Sequence, residues 1–317
     1  MRLLVTGGAG YVGSVVATVL VERGHDVTVV DDLSTGHADA VAEQARFIEA
    51  SIFDAASFID PECDGVLHFA AKSLVGESTK RPELYWHNNV SGTLALLEAM
   101  RAAATPRLVF SSTAAVYGEP ESVPIAIDAA ARPTNPYGAS KLAVDMMLTS
   151  YAAAYGLAAV SLRYFNVAGA HGRVGERHVV ETHLIPNVLR SVTGGSPLQI
   201  FGSDYPTPDG SAVRDYIHVT DLADAHVRAL EAATAGRHAI YNLGNGVGTS
   251  VFEVIAAAEQ VTGRAVPREV RERRAGDPAV LIADGEQARR ELGWAPAKSL
   301  EQMVADAWAL PTHGSDL

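Results

Sequence analysis

Cysteine is nearly missing from this sequence, because Cys63 is its single example among 317 residues. An intramolecular disulfide is therefore impossible, a site built from several cysteines is excluded, and a reducing compartment is expected. The sequence has no apolar run of about 18 residues, and "MRLLVTGGAG" has no long apolar segment before its glycines. We therefore predict a cytoplasmic protein with neither a signal peptide nor a membrane span.

Positive charge is also scarce. Lys and Arg number 25 against 37 Asp and Glu, which gives a formal net charge of -12. A protein that binds nucleic acid needs a basic face to displace counterions from phosphates, so no nucleic-acid partner is predicted. Apolar residues make up 48% of the chain and charged residues 20%, as is typical of a soluble globular protein.

Strand and helix patterns alternate through the first half of the chain. The short apolar runs typical of buried strands are "RLLVT", "DVTVV", "GVLHF", "RLVFS" and "AVSLRYF". Helices are predicted over residues 11–23, from about Asn89 to Ala103, and after Pro136. This alternation predicts an α/β fold, in which a doubly wound parallel sheet of the Rossmann type carries helices on both faces.

The pattern changes after residue 166. Gly, His and Pro become frequent there, and strands such as "LQIF" and "AIYNL" lie among short helices and long polar connections. We therefore predict one domain over residues 1–166 and a smaller α/β lobe over residues 167–317 that interleaves with it. No repeat or low-complexity tract marks the boundary.

The first candidate site is the glycine-rich segment "VTGGAGYVG". Gly7, Gly10 and Gly13 lie between a predicted strand and helix, and Gly8 extends the set to the G-x-G-x-x-G pattern. Glycine lets the backbone approach a pyrophosphate beside a helix N-terminus. Asp31, 18 residues beyond Gly13, can bind an adenosine ribose and would repel a 2'-phosphate, which favours NAD over NADP. The alternative is a tight turn with Asp31 as a strand cap.

The second candidate site is "NPYGASKLAV", where Tyr137 and Lys141 are four residues apart at the predicted start of a helix. This spacing places both side chains on one helix face, whether they form a surface pair or perform chemistry. Tyrosine has an ordinary pKa near 10, but a nearby ammonium and a cationic nicotinamide favour the phenolate. The segment "SSTAAVYG" also follows the fifth predicted strand, where parallel sheets bind ligands. We therefore interpret the pair as an acid–base device.

Together these segments resemble the extended short-chain dehydrogenase/reductase family. Its T-G-x-x-G-x-x-G motif runs from Thr6 to Gly13, its Y-x-x-x-K motif lies at Tyr137 and Lys141, and its upstream hydroxyl residue is Thr113. Within that family the chain is most similar to the UDP-galactose 4-epimerases, over nearly its whole length. The matching stretches are "HFAAKSLVGES", "NNVSGTL", "FSSTAAVYG", "LRYFNVAGA", "DYPTPDGSAVRDYIHVTDLADAH", "YNLGNGVGTSV" and "RRAGDPAVLIAD".

The resemblance implies a homodimeric enzyme that interconverts UDP-glucose and UDP-galactose through a transient 4-keto sugar and NADH. Tyr137, Lys141 and Thr113 would be catalytic. NAD would bind mainly to residues 1–166, at Gly7, Gly10, Tyr11, Val12, Gly13, Asp31, Asp32, Leu33, Ser34, Gly36, Ser51, Ile52, Phe69, Ala70, Ala71, Asn88, Ser111, Tyr137, Lys141 and Phe165. The UDP-hexose would bind mainly to the lobe, at Thr113, Tyr137, Asn166, His183, Leu184, Gln199, Ile200, Phe201, Arg214, Arg274, Asp277 and Leu281.

Two of the implied sugar-site residues also suit their role chemically. Arg214 and Arg274 fit a pyrophosphate because a guanidinium is always charged and donates hydrogen bonds in a fork. In a chain this acidic, the alternative for either arginine is an Arg–Asp ion pair or a solvated surface. The backbone of Gln199 and Phe201 would pair with the uracil edge, although "LQIF" by itself is simply a short strand.

Four positions depart from relatives within the family. Ser51 stands where many have an Asp beside the adenine, Ser73 where some have a Lys near the cofactor, and His183 where some have an Asn. Leu281 stands where some epimerases confined to unacetylated hexoses have Tyr, and where relatives accepting N-acetyl sugars have a small residue such as Cys. Its intermediate bulk predicts a preference for UDP-glucose and UDP-galactose, with weak turnover of the acetylated pair. The alternative is a core leucine in the apolar run "AVLIA".

Other functions fit the sequence less well. A UDP-N-acetylglucosamine 4-epimerase, or an epimerase of dual specificity, is the main alternative. A nucleotide-sugar 4,6-dehydratase needs acid and base groups where this chain has Ala114 and Ala115. A non-catalytic NAD-binding sensor would need neither Tyr137 and Lys141 nor the sugar-site motifs.

Metal and serine chemistry are not predicted. His171, His178 and His183 lie near one another in the sequence, but neither H-E-x-x-H nor a regular ligand spacing is present. We therefore predict no metal site and expect a loop or substrate role for these histidines. Ser111 and Ser112 lack the G-x-S-x-G context of a serine nucleophile, which argues against covalent hydrolysis.

Overall fold

The computed structural model describes residues 1–178, 180–274 and 276–310. The strands of these residues, numbered β1 to β15 in chain order, are Arg2–Thr6, Asp26–Asp31, Arg46–Glu49, Gly65–His68, Arg107–Thr113, Ala158–Tyr164, Asn166–Ala168, Ala170–His171, Val174–Gly175, Leu198–Phe201, Val213–His218, His238–Leu243, Gly248–Ser250, Arg268–Arg271 and Val280–Leu281. Their α-helices, α1 to α11, are Tyr11–Glu22, Ala55–Phe58, Val75–Lys80, Pro82–Tyr85, Gly92–Ala102, Pro136–Tyr155, Leu184–Val192, Val219–Ala232, Val251–Thr262, Glu286–Leu292 and Leu300–Trp308. None of these helices has both the length and the apolar character needed to cross a bilayer.

A parallel sheet of seven of these strands forms the centre of the described chain, in the order β12-β6-β5-β4-β1-β2-β3. The chain adds β2 and β3 on one side of β1, and then β4, β5, β6 and β12 on the other. The direction of winding reverses between β1 and β4, and such a reversal opens a crevice at the carboxyl ends of the strands. The predicted α/β fold with a doubly wound parallel sheet is confirmed.

The two faces of the sheet are buried under different helices. In β1, Leu3 and Val5 join an apolar cluster with α1 and α8, whereas Leu4 joins a second cluster with α5 and α6. This division follows from the two-residue period of a strand. Because both faces are covered, the inner strands of this sheet form nearly continuous apolar runs, and this feature made them recognisable in the sequence.

The second half of the chain contributes to the central sheet and also forms smaller ones. Strand β12 pairs with β6, and α8 packs against α1. Strands β13, β11 and β15 form a small sheet that β7 joins through β11, while β10 pairs with β14. A separate apolar cluster is shared by α7, α9 and α11. The boundary between residues 166 and 167 stays a prediction.

A π-helical turn, Trp86–Ser91, precedes α5 where the sequence predicts an ordinary helix from about Asn89. The buried side chain of Asn89 accepts a hydrogen bond from the Lys72 N–H at 2.8 Å and donates one to Ser140 Oγ at 3.0 Å. Turns of this kind are frequent at functional sites because they redirect a side chain. Here the turn links α5 and α6 to the segment that follows β4.

Candidate active site

A cavity of about 520 Å³ lies at the carboxyl ends of β1, β4 and β5. Cavities of this size are typical of small-molecule sites. Its walls bring together both sequence candidates, the glycine turn and the start of α6. The predicted site residues that line it are Gly7, Gly10, Tyr11, Val12, Gly13, Asp31, Asp32, Ser34, Ile52, Phe69, Ala70, Ala71, Asn88, Ser111, Thr113, Tyr137, Lys141, Phe165, Asn166, His183, Arg214, Asp277 and Leu281.

The turn between β1 and α1 leaves no space for side chains at two of its glycines. Gly7 has a φ of +72°, and a Cβ there would lie 2.4 Å from the Ala70 nitrogen. A Cβ on Gly13 would lie 2.2 Å from the Gly7 carbonyl oxygen. The bare backbone therefore borders the cavity next to the N-terminus of α1, where N–H groups favour a pyrophosphate. These residues fit a dinucleotide.

Asp31, at the end of β2, holds the same turn from the other side. Its Oδ2 accepts a hydrogen bond from the Ala9 N–H at 3.0 Å, and its Oδ1 accepts one from the Leu33 N–H at 2.9 Å. Burial raises the pKa of this carboxyl group, and the two hydrogen bonds oppose the rise. Asp31 therefore orders the turn, as the strand-cap alternative holds, and also lines the cavity.

Two contacts fix the start of α6 and with it the positions of Tyr137 and Lys141. The Asn135 Oδ1 caps the helix by accepting a hydrogen bond from the Gly138 N–H at 2.9 Å. A Cβ on Gly138 would lie 2.4 Å from the Ala115 carbonyl oxygen. Helix α6 therefore packs directly on the turn that follows β5, and Tyr137 lies beside the end of that strand.

The polar side chains at the end of β5 and at the start of α6 contact mainly that same part of the cavity wall. Tyr137 hydrogen-bonds with the Thr113 side chain, and Lys141 Nζ donates to the Ser111 carbonyl oxygen at 2.7 Å. Burial raises the pKa of Tyr137, and the bond with Thr113 opposes that rise. Burial lowers the pKa of Lys141 to about 7, although the charge of Asp145 opposes the fall. The protein's own groups thus favour the protonated phenol.

On the lobe side of the cavity, Arg214 and Asp277 form an ion pair. The sequence left an Arg–Asp ion pair open as an alternative role for Arg214. In the structure this ion pair joins two predicted sugar-site residues. Arg274 is placed differently, because its guanidinium carbon lies 3.8 Å from the centre of the Phe201 ring. Phe201 ends β10, the strand that contains Gln199. The structure therefore brings Arg274 to the predicted uracil strand rather than to the cavity wall.

Some predicted residues do not line the cavity. Those on the cofactor side are Leu33, Gly36 and Ser51, and those on the sugar side are Leu184, Gln199, Ile200, Phe201 and Arg274. Leu33 and Gly36 adjoin Asp31, since a Cβ on Gly36 would lie 2.9 Å from Asp31 Oδ1. Ser51 Oγ accepts a hydrogen bond from the Phe53 N–H at 3.3 Å. Their predicted roles in binding stay predictions.

Sequence reasoning missed several residues of the cavity wall. Tyr164, whose hydroxyl forms a short hydrogen bond with Ser111 Oγ, lies inside the quoted stretch "LRYFNVAGA", so its neighbours could have indicated it. Glu176 also lines the cavity, beside His178 and His183. Nothing in the spacing of these three residues indicated that they would meet, because they lie outside helices and strands.

Comparison with known proteins agrees with this site. Residues 3–244 match the NAD dependent epimerase/dehydratase family. UDP-glucose 4-epimerases of Corynebacterium glutamicum and Streptomyces lividans are 59% and 55% identical, over 100% and 97% of this chain and 97% and 95% of theirs. A crystal structure of UDP-glucose 4-epimerase from Stenotrophomonas maltophila with bound NAD and formylated UDP-arabinopyranose has a TM-score of 0.93 at 43% identity, over 97% of each chain. The resemblance drawn from the motifs is confirmed, and the chain belongs to the NAD dependent epimerase/dehydratase family.

Proposed function

We propose that this chain is a UDP-glucose 4-epimerase that interconverts UDP-glucose and UDP-galactose with NAD. The observation that carries the proposal is a single cavity lined by the dinucleotide turn, by Tyr137 with Lys141, and by Arg214 with Asp277. The relatives compared above have this activity in their names, and one was crystallised with NAD and a UDP-sugar. The chemistry returns every hydride that it removes, so the net redox change is zero.

The residues divide the work between proton transfer and anchoring. NAD, when bound, supplies the acceptor for a hydride from sugar C4 and the donor for its return to the opposite face. Tyr137 takes the proton of the O4 hydroxyl and later gives it back, while Thr113 orients O4. Lys141 adds positive charge that stabilises the phenolate. Arg214 and Asp277 hold the UDP part of the substrate while the 4-keto sugar rotates.

Two pKa shifts in the cavity disfavour a phenolate at Tyr137 in the free protein. Burial raises the pKa of Tyr137 and lowers that of Lys141 to about 7. A bound cationic nicotinamide adds the positive charge that shifts the phenol toward its anion. We therefore propose that bound NAD promotes formation of the base.

A UDP-N-acetylglucosamine 4-epimerase, or an enzyme of dual specificity, is the second candidate. The observation that favours it is Leu281 in the cavity wall, because leucine leaves more room than the tyrosine of some relatives. The missing acid and base groups at Ala114 and Ala115 argue against dehydration, and both residues line the cavity. A non-catalytic NAD-binding sensor fits less well, because Thr113, Tyr137 and Lys141 all line the cavity.

The direct test is to incubate the purified protein with UDP-galactose and, separately, with UDP-N-acetylgalactosamine, and to separate the epimers. We expect rapid conversion of the first substrate and slow conversion of the second. Denaturation should release NAD or NADH. Recovery of NADP alone, or full activity in protein that contains no dinucleotide, would contradict the proposal, and faster conversion of the acetylated substrate would favour the second candidate.

We also propose that the enzyme is a cytoplasmic homodimer, as the resemblance implies. Apolar side chains on two neighbouring helices support a protein interface, since Leu94 on α5 is 44% exposed and Met146 on α6 is 62% exposed. Light scattering after size-exclusion chromatography should give twice the chain mass of 33.4 kDa. Replacing Met146 by Glu should weaken the dimer, and a monomeric parent protein would refute it.

A further inference from the structure

A cluster of nitrogen and oxygen donors lies in the connection between β9 and α7. One donor atom each from Glu176, His178, Glu181 and His183 lies within 4.8 Å of the other three. Nδ1 of His178 is 2.9 Å from Glu176 Oε1 and 3.9 Å from Glu181 Oε2. Nδ1 of His183 contacts Glu176 and lies 3.3 Å from Glu181 Oε1. Four side chains from two short segments therefore point at one centre.

The two carboxylates of this cluster are buried without help from a strong base. The side chains of Glu176 and Glu181 are only 6% and 2% exposed. Arg177, which lies between Glu176 and His178 in sequence, turns away and pairs with Asp39 at 2.8 Å. A buried carboxylate is costly unless it is paired or binds a cation. Two adjacent carboxylates whose described charge partners are histidines therefore form a centre that attracts positive charge.

We propose that Glu176, His178, Glu181 and His183 bind a divalent transition-metal ion. Two imidazoles and two carboxylates supply four ligands of the kinds that Zn²⁺ accepts, and imidazole ligands favour zinc, cobalt or nickel over magnesium and calcium. In the structure these donor atoms form hydrogen bonds with one another, and a bound ion would take the place of those hydrogen bonds. Sequence spacing did not predict this site, because only the folded connection brings the four residues together.

A bound ion would tie residues 176–178 to residues 181–183, just before α7 begins at Leu184. Glu176, His178 and His183 also line the large cavity. The ion would therefore fix part of the cavity wall. This inference does not rest on the proposed function, because metal binding can be measured without substrate and without turnover.

The competing arrangement uses protons instead of a metal. Burial alone would lower the pKa of His183, but its hydrogen bonds to Glu176 and Glu181 raise it to about 10. A protonated His183 between two carboxylates would neutralise part of their charge. A metal ion would have to displace that proton, so direct measurement of binding separates the two arrangements.

The test uses the full chain with any affinity tag removed, treated with a chelator and then dialysed. Co²⁺ serves as the probe, because its visible spectrum reports four-coordinate nitrogen and oxygen ligation, and calorimetry gives the stoichiometry. Glu181→Gln and His178→Asn each remove one ligand. His171→Asn is the matched control, because His171 lies nearby in the sequence and instead contacts Glu22 at 2.9 Å.

We expect one Co²⁺ per chain in the parent protein and in His171→Asn. Loss of an outer-shell partner weakens metal binding by about 10–100-fold. Loss of a direct ligand should weaken Co²⁺ binding by at least that factor. His178 is more exposed than Glu181, so His178→Asn keeps the test valid if Glu181→Gln does not fold. No binding by the parent protein, or equal binding by the parent and both ligand variants, would overturn the proposal.

Discussion

The two sides of the cavity are built in different ways. On the cofactor side, the wall consists of the ends of strands of four to seven residues, which belong to one parallel sheet with helices on both faces. On the lobe side, β7 has three residues and β15 has two, and residues 176–178 and 276–278 lie outside helices and strands. The proposed reacting groups are therefore held by regular elements, and the proposed sugar side is formed mostly by connections.

This difference predicts how each side responds to substitution. A regular element with close backbone packing cannot adjust, so a change there should abolish chemistry or folding. A connection held by ion pairs can adjust, so a change there should alter affinity or specificity by a smaller factor. Substitutions on the two sides, each with a matched control, test the contrast.

The largest effect is expected for Tyr137→Phe. Loss of the proposed proton-transfer group should lower kcat by about 10²–10⁴-fold while UDP affinity stays near normal, because the proposed UDP contacts, Arg214 and Asp277, lie on the lobe side of the cavity. Tyr85→Phe is the control, since its ring centre lies 6.4 Å from that of Tyr137 and its hydroxyl donates to the Leu74 carbonyl oxygen at 2.6 Å. Steady-state kinetics and UDP calorimetry provide the measurements. Turnover near that of the parent would remove Tyr137 from the mechanism.

Gly13→Ala should be nearly as damaging, through cofactor binding. A Cβ at this position would lie 2.2 Å from the Gly7 carbonyl oxygen, so the turn must open by more than a side-chain adjustment. We expect the purified variant to lose most of its bound NAD and about 1–3 kcal/mol of folding stability. In the control Gly76→Ala, the added Cβ meets nothing within 4 Å. Full NAD content in Gly13→Ala would show that the turn tolerates a side chain.

These contrasts also show how much the sequence could predict. The strand from Arg2 to Thr6, the helix that follows it and the Tyr137 to Lys141 segment were all readable, because their apolar periodicity and glycines are local signals. The glycine turn and the start of α6, which both line the cavity, could therefore be predicted from local sequence. Strand Arg46–Glu49 was not named in advance, because four half-exposed or exposed residues carry no clear alternation.

The lobe side could be predicted only by resemblance. Glu176 contacts His183, and Arg274 stacks on Phe201. Both contacts involve segments that lie mostly outside helices and strands. The π-helical turn at Asn89 was also not predicted, and the hydrogen bond that Asn89 forms there joins it to the Lys72 backbone, 17 residues earlier in the chain. Local periodicity contains no information about contacts of these kinds.

Lys141→Met should separate activity from stability. Burial lowers the pKa of this amine from 10.5 to about 7, so between these pH values the unfolded chain binds more protons and stability rises with pH. Below pH 7 the buried ammonium costs the folded state on the order of a few kcal/mol, at about 1.36 kcal/mol per pKa unit. The methionine variant should therefore be inactive yet more stable than the parent at pH 6, and the difference should shrink toward pH 10. Thermal unfolding between pH 6 and pH 10 measures the difference in stability between the two proteins. A difference that stays constant over this range would contradict the lowered pKa of Lys141.

The smallest effect is expected on the lobe side, at Leu281. Strand β15 pairs with β11 so that Leu281 lies opposite Arg214, and its partly buried side chain both lines the cavity and packs near Val116 and Ile125. The core-leucine interpretation therefore describes one part of its surface, and a specificity role can use the other part.

Leu281 should crowd an acetamido group without excluding it, since a methylene-sized misfit is worth about 1–3 kcal/mol. Leu281→Tyr should therefore suppress turnover of the N-acetylated pair, whereas Leu281→Cys should raise it relative to UDP-galactose. Val280→Cys is the control, because successive residues of a strand point to opposite sides and Val280, the neighbour of Leu281 in β15, is not among the residues that line the cavity. The ratio of the two kcat/KM values in all four proteins is the measurement. A ratio that stays constant across the Leu281 variants would show that this position does not select the sugar, and that the lobe controls specificity through its connections instead.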